Sequence, residues 1–291
     1  MRNIYEIENV GGNVYRITEC MTPGGHGVNS FFAVGAEKAL LFDSGFGVVD
    51  TLREELGKLT DKPVICVVGH GHPDHAGAAE LFDEVYMNER DEPLLPVSLS
   101  YERRMGDVFG GHGPGGPKEI DMELKAYAEE HIVDPGGKNF KYKNVDAGDS
   151  FDIGGDVFKV FALPGHTQGS IALLNREKNY AFISDCIGHR TALVTLPPEK
   201  RVGITAYRDG LQSFKENIND ETVFWYGHSR EPQPHVFMDD TLLALDEILA
   251  GNTENDVRSE SHFAKRQAAA GKLMTEHQAG TVTIVYDANL I

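Results

Sequence analysis

Three histidines and one aspartate fall within six positions of the chain, at His70, His72, Asp74 and His75. Imidazole nitrogens and carboxylate oxygens are ligands of first-row divalent metals. Residues two apart in an extended segment point the same way, so the first two histidines can hold one ion, while the turn that follows brings Asp74 and His75 toward a neighbouring ion. The alternative is a run of solvated histidines near a helix start, but that leaves their density in one loop unexplained. We therefore expect this loop to serve two metals.

The segments around this loop predict the elements that must position it. Short strands with tight turns open the chain in an antiparallel arrangement, and residues 48–59 have apolar positions at helical spacing. The apolar run at 63–68 has the length and β-branched content of a buried strand, and it leads directly into the histidines. A helix near 76–82 and a strand within 81–88 follow. The histidine loop is thus expected at a strand end.

The rest of the chain predicts an insertion and a second run of strands. Residues 94–133 change in character, and their glycine-rich stretch at 109–117 is expected to lack regular structure. Gly154 and Gly155 are expected to make a hairpin turn, and the final stretch, 281–291, alternates like a strand or an extended arm. Helices are expected near 97–107, 118–131, 205–218 and 235–250, and strands within 143–148, 150–154, 156–163, 170–175, 180–184 and 222–227.

The loop from His70 to His75 matches an H-x-H-x-D-H signature, and the chain resembles the metallo-β-lactamase superfamily. The other motifs of that family are present in its usual order: Asp43 in LFDSG, His166 in LPGHTQGS, Asp185 in FISDC and His228 in WYGHS. The resemblance implies an α/β (α+β) fold, a four-layer αββα sandwich of two mixed β-sheets. We expect a single domain over 1–291, with a helical insertion or lid at 94–133 and a C-terminal helical extension and arm at 235–291.

The resemblance also implies a role for each motif residue. It assigns the first metal to His70, His72 and His166, the second metal to Asp74, His75 and His228, a bridging position to Asp185, and a supporting position behind the ligands to Asp43. Judged alone, His166 could be a turn histidine and Asp185 a loop carboxylate, and only their joint order and spacing favour ligation. Asp43 could instead end its strand or cap the next helix.

A dinuclear hydrolase is the function that the resemblance implies. Two divalent ions, with zinc favoured over iron or manganese, would share a hydroxide that attacks the substrate, and Asp74 would orient that hydroxide and pass on its proton. Asp185 argues against a true β-lactamase, which lacks a bridging carboxylate. The expected substrate is a small-molecule thioester, ester or lactone, as in the glyoxalase II and lactonase groups. A phosphodiesterase, a mononuclear iron persulfide dioxygenase and a catalytically silent binding protein are the alternatives.

Composition restricts the kinds of binding partner and the cellular compartment that we expect. Lys and Arg number 27 against 45 Asp and Glu, giving a formal charge of -18, so a nucleic acid is not expected as a partner. Three widely spaced cysteines fit a reducing cytoplasm, and the absence of a long apolar run argues against a membrane segment. A homo-oligomer is left open. The candidate substrate contacts are His26, His112 and His189, and Cys186 is expected to be a packing residue.

Overall fold

The structure, a computed structural model, describes residues 3–21, 27–110, 112–113, 116–117, 120–134, 136–137, 140–193 and 203–290. Within these ranges, residues 112–113, 116–117, 262–263, 266 and 290 are described by their backbone alone. None of the helices in the described ranges is long and apolar enough to cross a bilayer.

Runs of consecutive strands, within residues 5–42 and 143–192, are separated by segments that contain both helices and strands. The strands are β1 (Tyr5–Gly11), β2 (Val14–Glu19), β3 (Val28–Val34), β4 (Ala39–Phe42), β5 (Val64–Val67), β6 (Glu84–Met87), β7 (His112–Gly113), β8 (Gly116–Pro117), β9 (Lys143–Asn144), β10 (Ser150–Asp152), β11 (Val157–Ala162), β12 (Ile171–Asn175), β13 (Tyr180–Ser184), β14 (Arg190–Ala192), β15 (Val223–Tyr226), β16 (Val257–Arg258), β17 (Met274–Ala279) and β18 (Val282–Asp287). The helices are α1 (Leu52–Gly57), α2 (Pro73–Ala76), α3 (Leu95–Ser98), α4 (Tyr101–Phe109), α5 (Met122–His131), α6 (Ile204–Lys215), α7 (Val236–Leu249) and α8 (His262–Ala268). Short 3₁₀ turns lie at Ala79–Leu81, Glu89–Leu94 and Ala288–Leu290.

The first sheet has the strand order β1-β2-β3-β4-β5-β6-β9. Strands β1 to β4 pair antiparallel, as predicted for the start of the chain. Strands β4, β5, β6 and β9 are parallel, so their carboxyl ends lie at one edge of the sheet. Every residue of β4 and β5 is buried, which explains why these two strands are continuously apolar in sequence rather than alternating.

The second sheet has the order β10-β11-β12-β13-β15. The β10–β11 hairpin turns through Gly154 and Gly155, which have φ values of 96° and 95°, so the predicted glycine turn is confirmed. Strands β11, β12 and β13 continue antiparallel, whereas β13 and β15 are parallel with α6 between them in the chain. Strands β13 and β15 therefore also end at the same edge.

The two sheets pack face to face through aromatic side chains. Phe31 and Phe42 of the first sheet stack on Phe182 of the second, with ring centroids 5.2 and 5.9 Å apart. Helices α1 to α5 cover the outer face of the first sheet, and α6 and α7 cover that of the second. One apolar cluster lies between each sheet and its helices, and a third lies between the two sheets. This arrangement is the αββα sandwich, and the predicted fold class is confirmed.

Local boundaries differ from prediction near the histidine loop. The helix expected near 76–82 is instead α2 followed by a 3₁₀ turn at Ala79–Leu81. The Gly77 N–H donates a hydrogen bond to the carbonyl oxygen of Gly45 at 2.9 Å instead of continuing the helix. A Cβ at Gly77 would lie 2.0 Å from the Phe46 carbonyl oxygen, so this close approach of two loops requires glycine.

The insertion and the C-terminal segment hold more regular structure than predicted. The stretch expected to be irregular contains the short ladder β7–β8. The final stretch is a strand, β18, which lies inside a sheet of order β14-β18-β17-β16. Strands β14, β16 and β17 and helix α8 were not predicted. The partner of β14 is β18, about 90 positions later, whereas β16 and β17 find their partners within the segment 257–287.

Candidate metal centre

Loops that leave strand ends of both sheets meet at one edge of the sandwich. Asp43 directly follows β4, and the segment 70–75 follows β5. Asp185 directly follows β13, His228 follows β15, and His166 lies in the loop from β11 to β12. Since β4 and β5 are parallel, as are β13 and β15, their carboxyl ends deliver these side chains to one place.

His70, His72 and His166 form a first set of side chains that could hold an ion. The Nδ1 atom of His72 lies 3.1 Å from Nε2 of His70 and 3.0 Å from Nε2 of His166. Burial, reinforced by the neighbouring histidines, lowers the pKa of His72 to about 3 and holds the pKa of His70 well below its usual range. Both rings are therefore neutral at pH 7, the form in which imidazole ligates a metal.

Asp74, His75 and His228 form a second set, and Asp185 lies between the two sets. The Nε2 atom of His228 is 3.4 Å from Oδ2 of Asp74 and 3.0 Å from Oδ2 of Asp185. The Oδ1 atom of Asp185 is 3.5 Å from Nε2 of His75. Its Oδ2 atom lies 3.8 Å from Nε2 of His166 in the first set, so the Asp185 carboxylate faces both sets.

The carboxylates and imidazoles of the second set and Asp185 stabilise one another's charged forms. Burial alone would raise the pKa of Asp185, but His228 and His75 hold it well below its usual range. Burial alone would lower the pKa of His75, but Asp74, Asp185 and Asp43 raise it well above the usual value. In the same way Asp185 and Asp74 raise the pKa of His228 against burial. A divalent cation satisfies the same carboxylates in place of the imidazolium protons.

Two buried atoms at the centre of the cluster support metal binding. Among the described residues, neither Nε2 of His75 nor Oδ1 of Asp185 has a hydrogen-bond partner, although both are buried. The two atoms face each other at 3.5 Å, an ion-pair contact without a hydrogen bond. A cation between the two atoms would satisfy both. The donor set of imidazoles and carboxylates therefore fits a divalent metal such as zinc.

Asp43 and Ser184 lie behind the histidines and fix their ring orientation. Oδ2 of Asp43 accepts hydrogen bonds from the Ser184 hydroxyl (2.8 Å) and from Nδ1 of His75 (2.8 Å). Because the Ser184 hydroxyl donates to Asp43, it accepts from Nδ1 of His70 at 3.0 Å. Oδ1 of Asp43 accepts from the backbone N–H of Gly69 at 2.6 Å. Both rings thus carry a proton on Nδ1 and direct Nε2 into the cluster.

Asp91 also supports the cluster, although its place in the sequence gives no sign of this role. Its carboxylate is buried, and it accepts hydrogen bonds from the Gly71 N–H (2.7 Å), the Thr167 hydroxyl (2.6 Å) and the Gly169 N–H (2.7 Å). Burial raises the pKa of this carboxyl group, and these three hydrogen bonds oppose that rise. Gly71 separates His70 from His72, so one side chain ties their loop to the loop of His166.

Glu19 and Arg104 hold the loop after Asp43 from two sides. The buried carboxylate of Glu19 accepts from the Phe46 N–H at 2.6 Å. Arg104 of α4 donates to the carbonyls of Phe46 (3.2 Å), Gly47 (3.4 Å) and Gly77 (3.0 Å). Burial raises the pKa of Glu19 to about 8 and lowers that of Arg104 to about 10. Glu19 thus satisfies a donor of the loop after Asp43, and Arg104 satisfies acceptors of that loop and of Gly77, which follows α2.

The structure describes the three candidate substrate contacts to different extents. His26 lies outside the described residues, and only the backbone of His112 is described, in β7. His189 is exposed, with its ring 6.4 Å from that of Phe237 between centroids, and among the described residues it makes no hydrogen bond or ring contact with the metal cluster. All three assignments stay predictions. The Cys186 thiol is completely buried, and burial holds its pKa well above the usual value, which fits a packing role.

Known proteins resemble this chain in sequence. The acyl-coenzyme A thioesterase MBLAC2 of Gallus gallus is 25% identical over 201 residues, covering 65% of this chain and 68% of the relative. The protein of the same name in Homo sapiens is 23% identical over 209 residues, covering 66% and 70%. An uncharacterized protein of Mycobacterium tuberculosis is 26% identical over 209 residues, covering 65% and 80%.

Solved structures and a family model agree on the fold. A metallo-beta-lactamase from Pontibacter korlensis aligns with a TM-score of 0.53 at 18% identity, covering 83% of this chain and 99% of that protein. A metallo-beta-lactamase from Erythrobacter litoralis gives 0.52 at 16% identity, covering 85% and 98%. The model of the metallo-beta-lactamase superfamily matches residues 23–228, which include each of the motif residues that converge at the sandwich edge. This chain belongs to the metallo-β-lactamase superfamily.

Proposed function

We propose that this chain is a dinuclear metal-dependent hydrolase that cleaves a small-molecule acyl thioester. The observation that carries the proposal is the convergence of two sets of candidate ligands on a shared carboxylate, Asp185. His70, His72 and His166 would hold the first ion, Asp74, His75 and His228 would hold the second, and Asp185 would contribute to both. Zinc is the favoured metal because the ligands are imidazole nitrogens and carboxylate oxygens.

The sequence relatives favour a thioester over the other carbonyl substrates. Proteins named as acyl-coenzyme A thioesterases align with about two thirds of this chain at 23–25% identity. When bound, two divalent ions supply a water molecule whose pKa is lowered to about 7 and polarise the carbonyl of the substrate. This chemistry suits a thioester, and the same site chemistry would also accept an ester or a lactone.

The protein side chains supply orientation and proton transfer. Asp74 contacts His75 and His228 through Oδ2, at 3.5 and 3.4 Å. We assign its other oxygen, Oδ1, to orient the attacking water, to take its proton and to pass that proton to the departing thiolate. An Asp74→Asn variant that keeps both metals and full turnover would contradict this role. Asp43 and Ser184 hold two of the histidine rings, so the ligand geometry is set before substrate arrives.

Metal content and substrate preference test the proposal together. Protein purified without added metal is analysed for its elements, and the same sample is tested on an acyl-coenzyme A, a lactone, an aryl ester and a phosphodiester. We expect about two divalent ions per chain and chelator-sensitive hydrolysis that is fastest with the thioester. Asp185→Asn should lose metal and turnover, whereas the exposed Asp220→Asn should behave as wild type. One iron per chain with oxygen uptake, or a preference for the phosphodiester, would refute the thioesterase proposal.

A further inference from the structure

The peptide unit between Ala192 and Leu193 joins a candidate metal ligand to the C-terminal part of the chain. Its carbonyl oxygen, on Ala192, lies 2.8 Å from Nδ1 of His166. Its N–H group, on Leu193, donates to the carbonyl oxygen of Val285 at 2.7 Å. A peptide unit is planar and rigid, so the position of Val285 constrains the direction of the carbonyl that His166 meets.

The hydrogen bond to Ala192 decides the tautomer of His166. A carbonyl oxygen only accepts, so Nδ1 of His166 must carry the proton and donate it. The other ring nitrogen, Nε2, then has a free lone pair, and it is this atom that lies 3.0 Å from Nδ1 of His72 in the first set of ligands. Partners behind a ligating histidine fix its ring orientation and strengthen its binding of metal.

Strand β14, which carries Ala192, is held in place by the C-terminal hairpin of β17 and β18. It pairs parallel with β18, with Arg190 opposite Thr283 and Ala192 opposite Val285. Arg190 also reaches β17, where it donates two hydrogen bonds to the carboxylate of Glu276, at 3.0 and 2.8 Å. These bonds to Arg190 lower the pKa of Glu276 to about 2. The main-chain and side-chain contacts of β14 therefore both lead to the hairpin.

This hairpin lies beyond the part of the chain that matches the superfamily, which ends at residue 228. We propose that the C-terminal hairpin, residues 274–287, is a positioning element for the first metal. It acts through the Ala192–Leu193 peptide on the ring of His166. The inference rests on the proposed dinuclear centre, and it gives a segment beyond residue 228 an influence, through that peptide, on one of the two metal sites.

Removal of the Leu193 N–H tests the inference. Leu193→Pro deletes the donor to Val285, and it leaves the preceding residue, Ala192, in the extended conformation that it already has in β14. Leu193→Ala is the matched control, because it shortens the same buried side chain but keeps the N–H. Zn²⁺ affinity is measured on metal-free protein by competition with a chromophoric chelator, without substrate, so that two binding steps can be resolved.

We expect Leu193→Pro to weaken one of the two Zn²⁺ steps by about 10- to 100-fold while the other step changes little. Leu193→Ala should leave the ratio of the two steps as in wild type. Equal weakening of both steps, or wild-type affinity at both, would overturn the inference. Wild-type protein that binds no Zn²⁺ would overturn the dinuclear proposal as well, so the two failures are distinguishable.

A second variant and a measurement on the wild type test the inference even if Leu193→Pro does not fold. Glu276→Gln removes the charge that Arg190 contacts at a partly exposed position, and it should weaken the same Zn²⁺ step by a smaller factor. In wild type, ¹⁵N NMR of the Zn²⁺-loaded histidines should show His166 with a slowly exchanging proton on Nδ1. An unprotonated or freely exchanging Nδ1 contradicts the proposal. So does a Glu276→Gln variant in which the Zn²⁺ step weakened by Leu193→Pro is unchanged.

Discussion

Asp91 accepts a 2.6 Å hydrogen bond from the Thr167 hydroxyl, and this bond joins two loops that are 76 residues apart in the chain. The same carboxylate also accepts from the N–H groups of Gly71 and Gly169. A Cβ at Gly169 would lie 2.7 Å from the carboxyl carbon of Asp91, so the contact leaves no room for a larger residue. A single buried side chain therefore sets the distance between the loop of His70 and His72 and the loop of His166.

Asp91→Asn should weaken Zn²⁺ binding at one site by about 10- to 100-fold. All three partners of Asp91 donate, so an amide NH₂ in place of one oxygen meets a donor and leaves it unpaired, at a cost of about 1–3 kcal/mol in the free energy of unfolding. Chelator competition measures the first effect and urea unfolding the second. Asp83→Asn, at an exposed position, is the control, and equal behaviour of the two variants would contradict the prediction.

Asp43→Asn should reduce Zn²⁺ affinity without unfolding the protein. Asp43 has a φ of 64°, a left-handed conformation that asparagine tolerates better than most non-glycine residues, so the backbone is preserved. The amide cannot accept hydrogen bonds at both of its ends, so it loses the support of either Gly69 or the His75–Ser184 pair. We expect a loss of about 10-fold or more in affinity. Ser184→Ala, which removes one of these partners, should give a smaller loss, and the reverse order would argue against Asp43 as the main support.

Arg104→Met should destabilise the fold by about 3 kcal/mol or more, because it leaves several buried carbonyls without a donor. The side chain of Arg104 is completely buried, and it also donates to the carbonyls of Val133 and Asp134. Arg104→Lys should recover only part of the loss, since one ammonium cannot reach acceptors on both sides of the guanidinium.

Arg103→Met is the matched control for Arg104→Met. Arg103 is partly exposed and pairs with Asp107 at 2.6 Å, one turn along the same helix. Exposed pairs of this kind contribute less than about 1 kcal/mol. Urea unfolding of the variants makes the comparison, and similar losses for the two methionine variants would show that Arg104 has no special structural role.

Glu19→Gln should flatten the pH dependence of stability between about pH 4.5 and 8. Burial raises the pKa of Glu19 in the folded protein to about 8 from a usual 4.5. In this window the folded state keeps a proton that the unfolded state has released, so this group makes the free energy of unfolding fall as pH rises. Its stabilising effect is complete below pH 4.5, and it is lost as pH rises through 8. Glutamine stays neutral and still accepts from the Phe46 N–H.

The difference between wild type and Glu19→Gln isolates this group from the other titrating residues. The free energy of unfolding is measured by urea at pH 5 and at pH 8 for both proteins. We expect wild type to lose more stability than Glu19→Gln over this interval. An equal loss would show that Glu19 is already ionised at pH 5 in the folded state.

The candidate ligands were predictable from sequence to different degrees. The loop of His70 to His75 stands out because its donors are neighbours in the chain, so their chemistry is visible without a fold. His166, Asp185 and His228 are single residues in ordinary turns, and only the family resemblance linked them to the loop. Asp91 gave no such signal, because its acidic, proline-marked segment reads like a solvated surface and its donors come from elsewhere.

The strands of the sandwich were predicted better than the C-terminal sheet for a similar reason. Strands β4 and β5 are short, apolar and bounded by turns, so their own composition identifies them. Strand β14 has only three residues, and it exists because β18, about 90 positions later, supplies its partner. Pairing over such a separation depends on the folded core, which a local pattern does not describe.

Asp43 and Ser184 both have left-handed backbone conformations, with φ of 64° and 45°, which non-glycine residues adopt at a cost. Each lies at the end of a strand, and each hydrogen-bonds a histidine of the cluster. A designer who transplanted the segment 70–75 to a strand end of another protein would transfer the imidazoles without these two distorted residues. The grafted segment would bind metal weakly, because the geometry of its histidines depends on residues at the strand ends of two sheets and not on the segment 70–75 alone.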